Sequence, residues 1–235
     1  MSASPNEVTD TRDMNMVHRA FRREFRLAPG LVRGVTPGDQ ARTDVIARHL
    51  DLMTDMLYHH HHAEDEILWP MLHERVPDDI QPIVSLMEEH HHRIHAANDS
   101  TIGLLAQWRN GAPKELGEQL AAALEEVDAA LDEHLAAEED QLLPIAAKNM
   151  SAAEWNHLGE AAMASIPQKQ MPLAFGMIQY EGDPEVMREM LSHAPFMARL
   201  IVPFVAPRAF KKYATKVYGT PSPTRCGVRG DQNGA

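Results

Sequence analysis

Two similar stretches of sequence, HHHAEDEILWP from His60 to Pro70 and HLAAEEDQLLP from His134 to Pro144, decide the fold of this chain. Each begins with His and has Glu four positions later, followed by two further acidic residues, and each ends in Leu, one other residue and Pro. The two copies lie 74 residues apart, and self-similarity at this distance indicates an internal repeat. We therefore expect two helical hairpins that face each other across a pseudo-twofold axis.

The His and Glu of each copy form a pair that can bind one metal ion from a single helix. Residues four apart on a helix lie on the same face, about 6 Å apart along the axis. Both His–Glu pairs lie on the apolar face of their helix, and neither face contains an Arg. The apolar residues are Met53, Leu57 and Leu68 in one copy and Val127, Leu131 and Leu142 in the other. A buried, unpaired carboxylate is costly, and a bound cation is the usual remedy. The repeat therefore predicts an internal metal site.

Two further segments add histidines to the same interior. The stretch EEHHHRIH, from Glu88 to His95, has His91 and His95 four residues apart, and His18 lies on the apolar face of the first predicted helix. The predicted ligand set is therefore His18, His60, Glu64, His91, His95, His134 and Glu138. Five imidazoles and two carboxylates can hold two ions, with the two Glu side chains bridging between them. Mixed nitrogen and oxygen ligands favour iron, manganese or zinc over calcium or magnesium.

The run of four histidines from His59 to His62 also has a simpler interpretation. Four consecutive residues turn through about 300° on a helix, so they cannot all point inward. At least two of His59, His61 and His62 are expected to face solvent or to support the ligands from outside. Taken alone, the run fits a polar helix face equally well; the repeat at His134 and the HxxxH pair favour the metal site.

The hydrophobic periodicity predicts an all-α protein. Four long helices, at about 10–33, 37–76, 78–109 and 113–149, are joined by short connections, which favours an antiparallel up-down four-helix bundle over residues 10–149. Other all-α arrangements fit the same periodicity. Residues 150–219 are predicted to form an appendage of short helices, and residues 220–235 a disordered tail. Breaks are expected at Pro167, Pro172, Gly176, Gly182, Pro184, Pro195, Pro203 and Pro207.

The bulk composition excludes several classes of partner. A net charge of -12 argues against nucleic-acid binding, which requires a basic face. No segment reaches the roughly 18 to 20 apolar residues of a spanning helix, so membrane insertion is not expected. A single cysteine, Cys226, and an N-terminus without signal-peptide features predict a cytoplasmic protein. The appendage is a candidate surface for a homo-oligomer.

The ordered set of His18, the HxxxE of His60, the HxxxH of His91 and the second His–Glu pair at His134 resembles the hemerythrin-like family, whose members contain the HHE cation-binding domain. The resemblance covers roughly residues 10–149. It implies a four-helix bundle around a non-haem diiron centre that takes O2, NO or peroxide at an open coordination position. In the oxygen-carrying members the last carboxylate stands five residues after its His, which would be Glu139, whereas the internal repeat favours Glu138.

Three hypotheses about function follow from these residues. The first is a protein that binds O2 or NO reversibly at a diiron site, for storage, delivery or sensing. The second is an enzyme whose two iron ions decompose peroxide or reduce NO; the sequence contains no Tyr, Cys or Ser constellation typical of covalent catalysis. The third is an iron store or a bundle held together by zinc.

Overall fold

A computed structural model describes residues 8–164, 166–192, 194 and 196–226, and within these residues the chain forms helices and turns without strands. The helices are α1 (Arg12–Arg33), α2 (Gln40–Ala63), α3 (Trp69–Arg75), α4 (Pro77–Trp108), α5 (Lys114–Ala137), α6 (Leu143–Asn149), α7 (Ala152–Ala164), α8 (Met171–Glu181), α9 (Pro184–Ser192) and α10 (Phe196–Tyr218). Two π-helical turns, Glu64–Leu68 and Glu138–Leu142, connect α2 to α3 and α5 to α6.

Four long helices, α1, α2, α4 and α5, pack around a shared apolar core. Helix α5 lies against both α1 and α4, and α2 contacts both α1 and α4. Fully buried side chains from all four helices meet inside, among them Phe25, Ile46, Leu50, Leu105, Trp108, Leu124 and Leu131. The prediction of an all-α bundle with additional helices after residue 150 is confirmed.

Side-chain caps set two helix starts, one of them away from its predicted position. Thr36 followed by Pro37 has the sequence pattern of a helix start, but the cap lies further along the chain: Asp39 accepts a hydrogen bond from the Arg42 backbone N–H at 3.0 Å, and α2 begins at Gln40. Gly38 precedes it with a φ of 87°, which glycine adopts without strain. A capping box precedes α7, since the side chains of Ser151 and Glu154 each accept a hydrogen bond from the other residue's backbone N–H.

Both copies of the repeat contain a π-helical turn at the same place. The backbone N–H of Trp69 donates to the Glu64 carbonyl, and that of Leu143 donates to the Glu138 carbonyl, each five residues back. A proline, Pro70 or Pro144, follows directly and lacks the N–H that an α-helix would need. The wider turn accommodates the proline, and such turns occur frequently at functional sites. The duplication therefore extends from sequence to backbone geometry.

Helices α8 and α10 of the appendage pack against each other at close range. A Cβ on Gly176 would lie 2.3 Å from the Ala206 carbonyl oxygen, so only glycine allows this approach. The predicted breaks at Pro203 and Pro207 are wrong, because α10 continues through both. Packing of its buried side chains, such as Phe210, stabilises the helix beyond the prolines.

The residues after α10 fold back onto the appendage. The Tyr180 hydroxyl donates to the Pro223 carbonyl at 2.7 Å, and the Arg225 guanidinium lies 4.6 Å from the Tyr180 ring centre. Residues 227–235 of the predicted tail lie outside the described residues. Among the described helices, none has the length and apolar character required to cross a bilayer.

A buried ionic network joins the bundle to the appendage. Arg23 of α1 donates to its neighbour Glu24 and, at 2.8 Å, to Glu181 of α8. The Tyr218 hydroxyl of α10 donates to the other oxygen of Glu24. Arg23 and Glu24 are each 1% exposed, so their charges depend on these partners for stabilisation.

We expect Arg23→Ala to lower the free energy of unfolding by about 3–5 kcal/mol, because it leaves the Glu24 and Glu181 carboxylates buried without their counter-ion. Urea denaturation monitored by circular dichroism measures this loss. Arg33→Ala is the matched control, since Arg33 pairs with Glu118 and Glu125 at the exposed surface, and it should leave the unfolding midpoint unchanged. Equal effects of the two changes would contradict a structural role for the network.

Candidate metal centre

Two groups of metal-competent side chains lie inside the bundle at the level of the π-helical turns. One consists of His18, His60, Glu64 and Glu138, and the other of His61, Glu64, His91 and His134. Within each group, the candidate ligand atoms all lie within 4.8 Å of one another, and every residue is buried. Because α1, α2, α4 and α5 each contribute, the centre exists only when the bundle is assembled.

The two glutamates lie between the two groups. Glu64 Oε1 is 3.2 Å from His60 Nε2, and its other oxygen, Oε2, is 3.5 Å from His91 Nε2. Glu138 Oε2 lies 3.3 Å from His18 Nε2 and 3.8 Å from His134 Nε2. Each carboxylate therefore faces histidines of both groups, as a bridging ligand between two cations would.

The centre contains many buried polar atoms without a hydrogen-bond partner. These atoms include His18 Nε2, His60 Nε2, both ring nitrogens of His61, both carboxylate oxygens of Glu64 and both of Glu138. A buried polar group left unsatisfied costs about 1–3 kcal/mol, and a charged one costs more. Nitrogen and oxygen donors that converge without protein partners fit first-row transition metals. The residues present therefore suit a metal pair.

A second pair of carboxylates supports the centre from outside. Glu139 accepts from His18 Nδ1 at 3.0 Å and is itself bonded by Arg22 at 2.6 Å. Asp65 accepts from His91 Nδ1 at 2.9 Å. Because a carboxylate only accepts, each bond places the imidazole proton on Nδ1 and leaves Nε2 directed inward. The sequence left Glu138 and Glu139 as alternatives; in the structure Glu138 is central and Glu139 orients His18.

These supporting carboxylates occupy equivalent positions in the repeat. Asp65 directly follows Glu64, and Glu139 directly follows Glu138. The Trp69 indole N–H donates to Asp65 at 2.8 Å, as Arg22 does to Glu139, so both carboxylates are held in place. Each copy of the repeat thus supplies a central carboxylate and an outer one.

Burial and mutual charge perturb the protonation of the centre. Burial and the charge of His18 lower the pKa of His60 to about 3. Burial also lowers the pKa of His18, but the Glu138 and Glu139 carboxylates outweigh it and raise that pKa to about 9. Burial together with the Glu138 charge raises the pKa of Glu64. At neutral pH, bound protons balance the negative charge of the buried carboxylates. A metal cation can replace these protons.

The structure brings together six of the seven ligands predicted from sequence, namely His18, His60, Glu64, His91, His134 and Glu138. It does not bring His95 into either group. The His95 ring is partly buried and stacks outside His91, with the ring centres 6.2 Å apart. His61 lies on the inner side of His91 instead, with ring centres 4.2 Å apart. His91 and His95 are one helical turn apart, so only one of them lies at the level of the two glutamates.

His61 is the residue that the sequence analysis did not place inside, although a signal was available. Counted from Leu57, the positions three, four and seven residues later are His60, His61 and Glu64, which is the spacing of one broad helix face. The internal repeat did not indicate a role for His61, because the equivalent position in the second copy is Leu135. Of the other histidines in the run, His59 is partly exposed and His62 is exposed, as expected.

Comparison with known proteins identifies the family of the bundle. The family model of the hemerythrin HHE cation binding domain matches residues 9–146, which include every residue of the two groups. No curated protein and no solved structure matches the chain. The match covers more than half of the chain, and the buried His and Glu groups have the composition that a cation-binding domain requires. The chain therefore belongs to the hemerythrin HHE cation-binding family.

Proposed function

We propose that this protein is a non-haem diiron protein that binds O2, or a related small molecule such as NO or peroxide, inside its helical bundle. The observation that carries the proposal is the pair of buried groups that share Glu64, in each of which the candidate donor atoms lie within 4.8 Å of one another. Two iron ions would supply an open coordination position and two electrons. Manganese or zinc fits the same donor types.

In this proposal each side chain has a defined task. His18, His60 and Glu138 would hold one cation, and His61, His91 and His134 would hold the other. Glu64 belongs to both groups, and Glu138 also lies near His134, so either carboxylate could serve both cations. Burial lowers the pKa of His60, His61 and His134 and so keeps these rings neutral. Each ring therefore retains a nitrogen lone pair that can bind a metal ion. Glu139 and Asp65 orient two of the rings. Every residue of the two groups is buried.

The donor set favours binding over oxidative chemistry. Five imidazoles, which bind metal ions in their neutral form, and two carboxylates carry less negative charge than a carboxylate-rich site. Such a set gives less stabilisation to highly oxidised iron, which favours reversible capture of a small molecule for storage, delivery or sensing. The alternative hypotheses, enzymes that decompose peroxide or reduce NO, would use the same site. Experiment can distinguish them from reversible binding.

We expect His61→Ala to reduce the bound metal to about half of the wild-type content or less, because it removes one of four donors from one group. His62→Ala, the change at the exposed neighbouring residue, should leave metal content unchanged. His95→Ala should also retain the metal. Mass spectrometry of protein purified without chelators measures all three. Loss of metal in His95→Ala with full content in His61→Ala would refute this ligand set.

The outer carboxylates provide a second test. Asp65→Ala should weaken metal affinity about 10- to 100-fold, because His91 loses the partner that orients its ring. Competition with a chromogenic chelator gives the affinity. Glu66→Ala changes the exposed residue next in sequence and serves as the control. An Asp65→Ala protein with wild-type affinity would show that the His91–Asp65 bond does not support the site.

Reaction with O2 discriminates between the functional hypotheses. Iron-loaded protein, reduced without oxygen and given one equivalent of O2, is expected to develop a visible charge-transfer band that disappears when the gas is removed. Continuous consumption of peroxide or NO without such a band would instead favour the enzyme. Purification with zinc alone, and no colour after iron loading, would favour a structural bundle.

A further inference from the structure

A large cavity lies between the bundle and the appendage, and it reaches the metal centre. Its volume is about 540 Å³. One side is formed by α1 and α2, and the other by α7, α8, α9 and α10. His60 and Glu64, which belong to the candidate metal centre, are among the residues that line it. The family match ends at residue 146, so most of the outer wall comes from a part of the chain that this family does not explain.

The cavity is too large for a diatomic gas. A water molecule takes about 30 Å³ of the liquid, and sites for organic ligands typically measure about 300–1,000 Å³. At about 540 Å³ this cavity has the size of a site for an organic molecule rather than of a channel for O2. Access of gas to the metal centre therefore does not account for it.

The walls are apolar and adaptable. Seven methionines line the cavity, namely Met14, Met53, Met56, Met163, Met171, Met177 and Met190. Methionine side chains are flexible and polarizable, and they adjust to ligands of irregular shape. Phe21 and Phe175 add aromatic surface. Such walls favour a hydrocarbon over a polar molecule.

Four acidic side chains line the cavity: Glu64 belongs to the metal centre, Glu160 is exposed, and Asp13 and Glu24 already have partners. Asp13 accepts from the Trp155 indole N–H at 2.8 Å. Glu24 is bonded by Arg23 and Tyr218. Among the described residues that line the cavity there is no Lys or Arg, so in the metal-free protein nothing in the wall pairs with a carboxylate or phosphate. An anionic ligand would therefore lose its hydration without compensation.

We propose that this cavity is a binding site for an uncharged, largely hydrocarbon organic molecule that lies against the His60 and Glu64 side of the metal centre. The position beside a metal pair rests on the proposed function, whereas binding itself requires only the apolar walls. In this proposal the appendage builds a ligand chamber onto a cation-binding bundle. The molecule bound there is either a substrate of the centre or a ligand that controls access to it.

Fluorescence of N-phenyl-1-naphthylamine, an uncharged apolar dye, tests the site in metal-free protein. We expect saturable enhancement that 1-dodecanol reverses. Dodecanoate, which has the same chain length and a negative charge, should compete roughly tenfold less well or worse, since no cation receives it. Absence of saturable dye binding would overturn the proposal, and equal competition by the acid would overturn the choice of an uncharged ligand.

Two substitutions fill the cavity from different helices. Ala162→Phe on α7 and Ala198→Phe on α10 each place a ring at a position that lines it. Either change should weaken dye binding roughly tenfold or more, because the ring takes volume from the ligand. Ala153→Phe, at an exposed position of α7, is the control and should bind like the wild type. Wild-type binding by both filled variants, with folding intact by circular dichroism, would overturn the proposal.

The outer face of α10 needs a control of its own, because it is also apolar. Phe204, which is 64% exposed, lies outside the cavity. Phe204→Ser should leave dye binding unchanged; strong loss would place the dye on this surface and overturn the cavity assignment. In iron-loaded protein, 1-dodecanol should also shift the visible spectrum. Dye binding without any metal uptake would contradict the diiron function alone, whereas metal uptake without dye binding would contradict the cavity alone.

Discussion

The burial of two carboxylates at the centre of the bundle is the constraint on which the rest of the structure depends. Glu64 and Glu138 are both 0% exposed, and a carboxylate placed in such surroundings without a partner costs several kcal/mol. Five histidines are arranged around them, and the positive charge that balances them comes from bound protons or from cations. Four helices must each place a side chain in one small volume. The arrangement of these side chains therefore requires the same helix packing as the apolar core of the bundle.

Support for this geometry comes from the residues immediately beyond the centre. The two outer carboxylates fix the tautomers of His18 and His91, and their own partners, Arg22 and Trp69, hold them in turn. Both π-helical turns begin at a central glutamate and precede a proline. The repeat therefore encodes a central carboxylate, an outer carboxylate that orients a histidine, and the local backbone shape.

The appendage changes what surrounds the centre. It is attached to α1 through the buried Arg23 network, and it covers an apolar cavity that the bundle alone would leave open to solvent. The molecule therefore contains two adjacent chemical environments: an apolar cavity and a buried cluster of histidines and carboxylates. The bundle thus contributes the cluster of buried histidines and carboxylates, and the appendage contributes most of the outer wall of the cavity beside it.

The sequence by itself determined the all-α fold and most of the site, because helical periodicity and the spacing of His and Glu are local properties of the chain. It identified six of the seven residues that the structure brings together and the family that the chain belongs to. Only the tertiary structure decided between His61 and His95, since that choice depends on which ring of one helix meets His91 of another at the level of the glutamates. It also decided between Glu138 and Glu139, which are adjacent in sequence and differ only in the direction of their side chains. The cavity could not be predicted either, because its walls come from segments whose relative placement is set by packing rather than by any local pattern.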